Sequence, residues 1–183
     1  MRTALLSLLC ATALFTGSAA EPARPAPPFS IMRVGSAPLK VSQYKGKVVA
    51  LAFIYTTCPH CQHLTTVLNQ VAKDYSSPGV QVLECAFNDD AVATMPEFLA
   101  RFNPPFPVGF ATRASVMSYL QYPIDNSRPL YVPHLLFIDR AGIIRGDYPG
   151  EGPFFHDPDG NIRKELDQML KGAPATTSAS AKQ

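Results

Sequence analysis

The chain has 183 residues, 46% hydrophobic and 16% charged, which fits one globular domain with a substantial core and leaves little room for a second. A formal net charge of +2 gives no electrostatic footprint for nucleic acid or for an anionic membrane surface. There are four cysteines and no tryptophan, so the sulfurs are the first place to look for chemistry.

Residues 1–20 read as a signal peptide and not as part of the fold. Arg2 supplies the positive start, Leu5 to Phe15 the apolar stretch, and Ser18-Ala19-Ala20 the small residues before cleavage. The apolar stretch is short for a membrane span; an uncleaved anchor is the rival reading. Cleavage near Ala20 would leave an exported protein, periplasmic or otherwise extracytoplasmic, with no membrane span. In such a compartment disulfides persist. The mature chain keeps Cys58, Cys61 and Cys85. This odd count leaves at least one of them outside any intramolecular bridge.

Residues 21–28, rich in Pro and Ala, read as an extended linker. Short strands are expected at Phe29–Met32 and Leu39–Val41, with a turn at Gly35-Ser36. Val48 to Ile54 is an unbroken apolar run, as for a strand buried on both faces. A turn at Thr56-Thr57-Cys58 leads into a helix that starts at Pro59, where a missing N–H costs nothing. Cys61, Leu64, Leu68, Val71, Ala72 and Tyr75 share one face of that helix, and Pro78-Gly79 ends it. Further strands are expected at Val80–Phe87, Pro107–Phe110, His134–Ile138 and Ile143–Tyr148, the last two joined by a hairpin turn at Asp139–Gly142. Helices are expected at Thr94–Phe102, with Pro96 a candidate break, at Ala114–Leu120 and at Asn161–Lys171. Residues 172–183 read as a disordered tail. The pattern is α/β, with a central mixed sheet flanked by helices, and such sheets place their sites at strand C-termini. Cys58 lies at one.

Disulfide exchange needs a thiolate and a second thiol close enough to close the ring. Cys58 sits at a helix N-terminus, where unpaired N–H groups and the helix dipole favour a negative sulfur. Cys61 is one turn further in, on the core face. Cys58 is therefore expected to attack and Cys61 to resolve. His60 is expected to stabilise the thiolate, which would make the disulfide more oxidising. With no second C-x-x-C, a four-cysteine zinc site is impossible.

Tyr44-Lys45-Gly46-Lys47-Val48-Val49, the Cys58–Cys61 centre, and Val132-Pro133 leading into Leu136-Phe137-Ile138-Asp139-Arg140-Ala141-Gly142 together resemble the thioredoxin superfamily. The branch they resemble most is that of exported TlpA/ResA-like (AhpC/TSA-related) thiol–disulfide oxidoreductases. The Pro59-His60 dipeptide is shared with DsbA-type enzymes. The resemblance spans roughly residues 29–171. It implies a thioredoxin-like fold and protein thiols or disulfides as substrates, with a redox partner that recharges the centre. It also implies that Pro133 is cis and lies against the active-site disulfide, so that Val132 can pair with a substrate chain. No prosthetic group is implied.

This sequence departs from that family at the usual acids. Many members carry a buried carboxylate six residues before the first cysteine, and TlpA/ResA-type reductases often a Glu six residues after it; here Ala52 and Leu64 stand there. Such a group helps take the proton from the buried thiol. Their absence argues for an oxidant or isomerase, whereas the overall resemblance argues for a reductant. Leu51 and Tyr55 occupy positions where a peroxiredoxin wants Pro and Thr, which excludes peroxidase as the main activity. Cys85 reads as a small buried hydrophobe, with a third redox partner as the alternative. His134 could tune the sulfurs, bind metal or simply occupy a strand. His63 and His156 read as surface positions, and Asp157-Pro158-Asp159-Gly160 as a turn. The rival function is a Sco-like copper chaperone using Cys58, Cys61 and a His.

Overall fold

A computed structural model describes residues 23–77, 79–125 and 127–172. The expected signal peptide and residues 173–183 of the expected tail lie outside them. In chain order the strands are β1 (Arg24–Pro25), β2 (Ser30–Arg33), β3 (Ser36–Lys40), β4 (Val48–Ile54), β5 (Val80–Ala86), β6 (Val108–Phe110), β7 (His134–Ile138) and β8 (Ile143–Tyr148). The helices are α1 (Pro59–Asp74), α2 (Ala91–Phe102), α3 (Arg113–Tyr119) and α4 (Pro158–Gly172). The strands form one sheet in the order β1-β8-β7-β4-β5-β6-β2-β3. β4 runs parallel to β5 and antiparallel to β7. Every residue of β4 is buried, as its unbroken apolar run demands in a strand covered on both faces.

The sheet separates two cores. On one side α1 and α4 lay Cys61, Leu64, Leu68, Val71, Ile162 and Leu166 over Ala50, Ala52, Val82 and Ala86. On the other, α3 covers Leu51, Phe53, Leu83, Cys85 and Leu136 with Val116, Met117 and Tyr119. Because strand side chains alternate, neighbours such as Glu84 and Cys85 face opposite cores.

This is the mixed α/β, thioredoxin-like architecture that the sequence implies, with local differences. Arg24–Pro25, within the segment expected as a linker, pairs with Ile143–Ile144 at the sheet edge. The strand expected at Leu39–Val41 is β3, Ser36–Lys40, and Val41 already belongs to a short 3-10 turn. Helix α2 starts at Ala91 and passes through Pro96 unbroken. The proline costs the hydrogen bond to the carbonyl of Val92, but Val92 is exposed, so water can take that carbonyl. Asp157–Gly160, expected as a turn, caps and begins α4. Asp157 Oδ1 accepts the Gly160 N–H at 3.1 Å, and Pro158 and Asp159 occupy the first turn. An acid, a proline and a second acid in sequence are a helix-start signature.

Candidate active site

At the C-terminal end of β4 the chain leaves the sheet through Tyr55, Thr56 and Thr57 and enters α1 at Cys58. This turn is pinned from several sides. Asn88, just after β5, accepts the Thr56 N–H at 3.1 Å and donates to Thr56 Oγ1 at 2.9 Å. Thr56 Oγ1 lies 2.6 Å from Thr94 Oγ1 on α2. Gln62 donates to the Thr56 carbonyl at 2.8 Å, and the Cys58 N–H donates to the Tyr55 carbonyl at 3.2 Å. Arg113 on α3 donates to the Tyr55 hydroxyl at 2.6 Å. Asn88 and Thr94 are not recognisable from spacing, because their contacts with Thr56 span 32 and 38 residues.

Cys58 is the N-cap of α1, with Pro59 beginning the helix. Cys58 is half-buried, whereas Cys61 is fully buried on the inward face. Both thiols are free, as is that of Cys85. The Tyr55 N–H donates to Cys61 Sγ at 3.4 Å. Burial drives the Cys61 thiol strongly towards its protonated form; the Tyr55 hydrogen bond opposes this, and Cys58 and Glu84 reinforce it. The pair therefore combines a solvent-facing sulfur with a buried one that must lose its proton before it can attack. His60, next to them, is exposed.

The Val132–Pro133 peptide bond is cis. Pro133 is buried and Val132 half-buried. β7 begins at the next residue, with His134 opposite Phe53 near the end of β4, so the cis bond lies at the sheet end that carries Cys58. Cys58 and Val132 border the same apolar core. Gly150 backs this loop: a Cβ there would stand 2.9 Å from Val132 C, Val132 O and Pro133 O. Only a glycine lets the chain pass so close.

Glu84 is a residue of the site that sequence positions alone did not reveal. It is fully buried on β5, directly opposite Ala52 of β4, and faces the core beneath α1. The Thr65 hydroxyl lies 2.9 Å from Glu84 Oε1 and 3.0 Å from the Cys61 carbonyl. Glu84 Oε2 has no hydrogen-bond partner among the described residues. Burial pushes the Glu84 carboxyl up to about 8, with Thr65 pulling it down. A lone acid in the otherwise apolar-rich Val80–Phe87 segment was the available signal.

His134 lies elsewhere. Its Nε2 is 2.6 Å from Asp147 Oδ1, its ring meets Tyr122 edge-on, and Tyr122 belongs to the core under α3, across the sheet from Cys61. Arg24 also reaches Asp147, at 3.3 Å. Cys85 is buried in that same core. His63 and His156 are exposed. Among the described residues no three His, Cys, Asp or Glu side chains cluster closely enough to hold a metal ion.

Residues 21–157 match the Redoxin family. The chain belongs to that family. A thiol:disulfide interchange protein of the thioredoxin family from Chlorobium tepidum TLS superposes with a TM-score of 0.63 at 26% identity, over 81% of this chain and 99% of that one. A thioredoxin candidate from Neisseria meningitidis gives 0.66 at 24% identity, over 83% and 94%. A candidate DsbE interchange protein from Chlorobium tepidum gives 0.64 at 23% identity, over 81% and 99%. No curated protein sequence matches significantly. With this family and this fold, the Redoxin chain is a thiol–disulfide oxidoreductase.

Proposed function

We propose that the protein exchanges disulfides with protein cysteines outside the cytoplasm through the Cys58–Cys61 pair. The observation that carries this reading is the difference between the two sulfurs: Cys58 half-buried at a helix start, Cys61 sealed one turn below it. The Cys58 thiolate attacks a substrate disulfide and expels one substrate sulfur as a thiolate. Cys61 gives up its proton and attacks Cys58 Sγ. The second substrate sulfur leaves, and the Cys58–Cys61 disulfide forms. Run backwards, the same steps oxidise a substrate dithiol, and the partner that recharges the centre sets the direction. Exposed His60, next to the pair in sequence, is assigned its tuning. Pro133 lies against the disulfide, and Val132 offers its backbone to an extended substrate strand.

Exchange is favoured over copper binding because the histidine nearest the centre in sequence order after Pro133 is held by Asp147 under the other core. Export rests on the composition of residues 1–20, and among the described residues no helix is long and apolar enough to cross a membrane. Edman sequencing of protein secreted on expression should begin at Glu21.

The exchange mechanism is tested by Cys61→Ser. That variant should accumulate a mixed disulfide through Cys58 with a peptide carrying one disulfide, and Cys58→Ser should form none. Turnover by Cys61→Ser at the wild-type rate would overturn the assignment of roles.

A further inference from the structure

Resting on the exchange reading, we infer that Glu84 accepts the proton of Cys61 when Cys61 resolves a mixed disulfide, and returns it when Cys61 is expelled. The placement is what argues for it. Glu84 projects from β5 into the core that Cys61 enters from α1. Ala52, its partner in register on β4, has no side chain long enough to contest that space. Thr65 follows Cys61 by one helical turn, and its hydroxyl touches both the Cys61 carbonyl and Glu84 Oε1. The carboxyl is thus two hydrogen bonds from the backbone of Cys61.

The hydroxyl has one proton to donate. When Glu84 is ionised, Thr65 donates to the carboxylate. When Glu84 is neutral, Thr65 can donate to the Cys61 carbonyl instead, so the charge state of Glu84 is felt at the cysteine itself. Oε2 has no hydrogen-bond partner among the described residues and is the oxygen open to the proton.

A buried acid normally comes with a cation or a set of donors. Among the described residues Glu84 has only Thr65 to favour its ionised form. β4 presents Ala52 and β6 presents Val108 opposite it, and the helices over this core contribute apolar side chains, Thr65 and the thiols. Among the described residues, the titratable side chains bordering this core are Cys61, Cys58 and the half-buried Tyr75 and Tyr148, whose hydroxyls are taken up by Asp167 and Glu165; it is the Cys61 thiol that the charge of Glu84 reaches. An acid balanced near about 8 suits a group that takes and gives a proton near neutrality.

In resolution the Cys61 S–H bond breaks and its proton goes to Glu84. The Cys61–Cys58 bond forms, the Cys58–substrate bond breaks, and the substrate leaves as a thiolate. In the reverse step Cys61 leaves Cys58 and takes the proton back.

Stopped-flow reaction of the reduced protein with a chromogenic aromatic disulfide separates the steps. Cys58 attack releases the first chromophore, and Cys61 resolution releases the second. In the wild type the second rate should rise with pH and inflect near about 8. Glu84→Gln keeps the shape and the Thr65 contact. It should leave the first release unchanged, slow the second about 100-fold at neutral pH and abolish the inflection. Thr65→Val removes the donor that favours the ionised acid and should move the inflection to higher pH. Superimposable second phases in wild type and Glu84→Gln would overturn the inference, as would an inflection that survives the substitution or an equal slowing of both phases. Failure of the wild type to release a second equivalent would instead remove the exchange reading on which the inference rests.

Discussion

The two faces of the sheet each bury a titratable side chain, and they treat it in opposite ways. Under α3, His134 is bonded to Asp147 at 2.6 Å, and Asp147 is backed by Arg24. Under α1, Glu84 has one hydroxyl for company and, among the described residues, one oxygen without a partner. His134 is tied by its partners into the packing of its face and serves the fold. An unpaired group is costly to ionise and so can exchange a proton with its neighbours. The cysteines follow the same division: Cys61 lies on the Glu84 face and Cys85 on the His134 face. Both are fully buried, so burial alone does not decide which sulfur reacts. The helix start, the second sulfur and the acid do.

The largest expected effect concerns Glu84 and stability. Below about pH 4.5 folded and unfolded chains both hold its proton. As pH rises from there, the unfolded chain releases the proton while the folded protein keeps it until about 8. The contribution of this group to stability should therefore fall across that window, by up to about 1.4 kcal/mol per pH unit, and level off above it. Glu84→Gln should flatten the fall and be the more stable protein at high pH, as read by urea midpoints across the range. A variant curve parallel to wild type would erase the contrast between the faces. Next, Asp147→Asn removes the charged partner of His134 and should cost about 2 kcal/mol without altering either phase of the thiol reaction. Altered kinetics would show that the α3 face takes part in exchange. Gly150→Ala pushes on the Val132–Pro133 loop at 2.9 Å. It should lower kcat/KM for a peptide disulfide about tenfold, roughly 1.4 kcal/mol, while the reaction with a small aromatic disulfide holds. Smallest, Cys85→Ala should cost about 1 kcal/mol in its tight core and leave exchange unchanged.

Much of this was legible in the sequence. β4 and α1 are read from local patterns, an apolar run and a stripe of one helical face, and the position of Cys58 between them follows. The cis bond at Pro133 came with the resemblance. Glu84 was not legible in the same way. The sequence has Ala52 and Leu64 at the two positions where the resembled family carries a carboxylate, and only the register of β4 on β5 reveals that the neighbouring strand supplies one opposite Ala52. That finding also removes the argument for an oxidant that rested on a missing acid. The clamp of Thr56 by Asn88 and the backing of Pro133 by Gly150 are likewise long-range contacts without a local signal. Pro96 misled for the opposite reason: its local signal was strong, but the lost hydrogen bond fell at exposed Val92, where it costs little.

The most direct test of the account is equilibration of the protein in glutathione buffers of graded potential, followed by acid quench, thiol alkylation and mass spectrometry. The account predicts a single two-electron transition in which Cys58 and Cys61 become blocked together as an intramolecular disulfide while Cys85 stays reduced throughout. A midpoint near −120 mV would mark a disulfide donor and one near −270 mV a reductant. Stepwise glutathione adducts with no Cys58–Cys61 disulfide at any potential would contradict it.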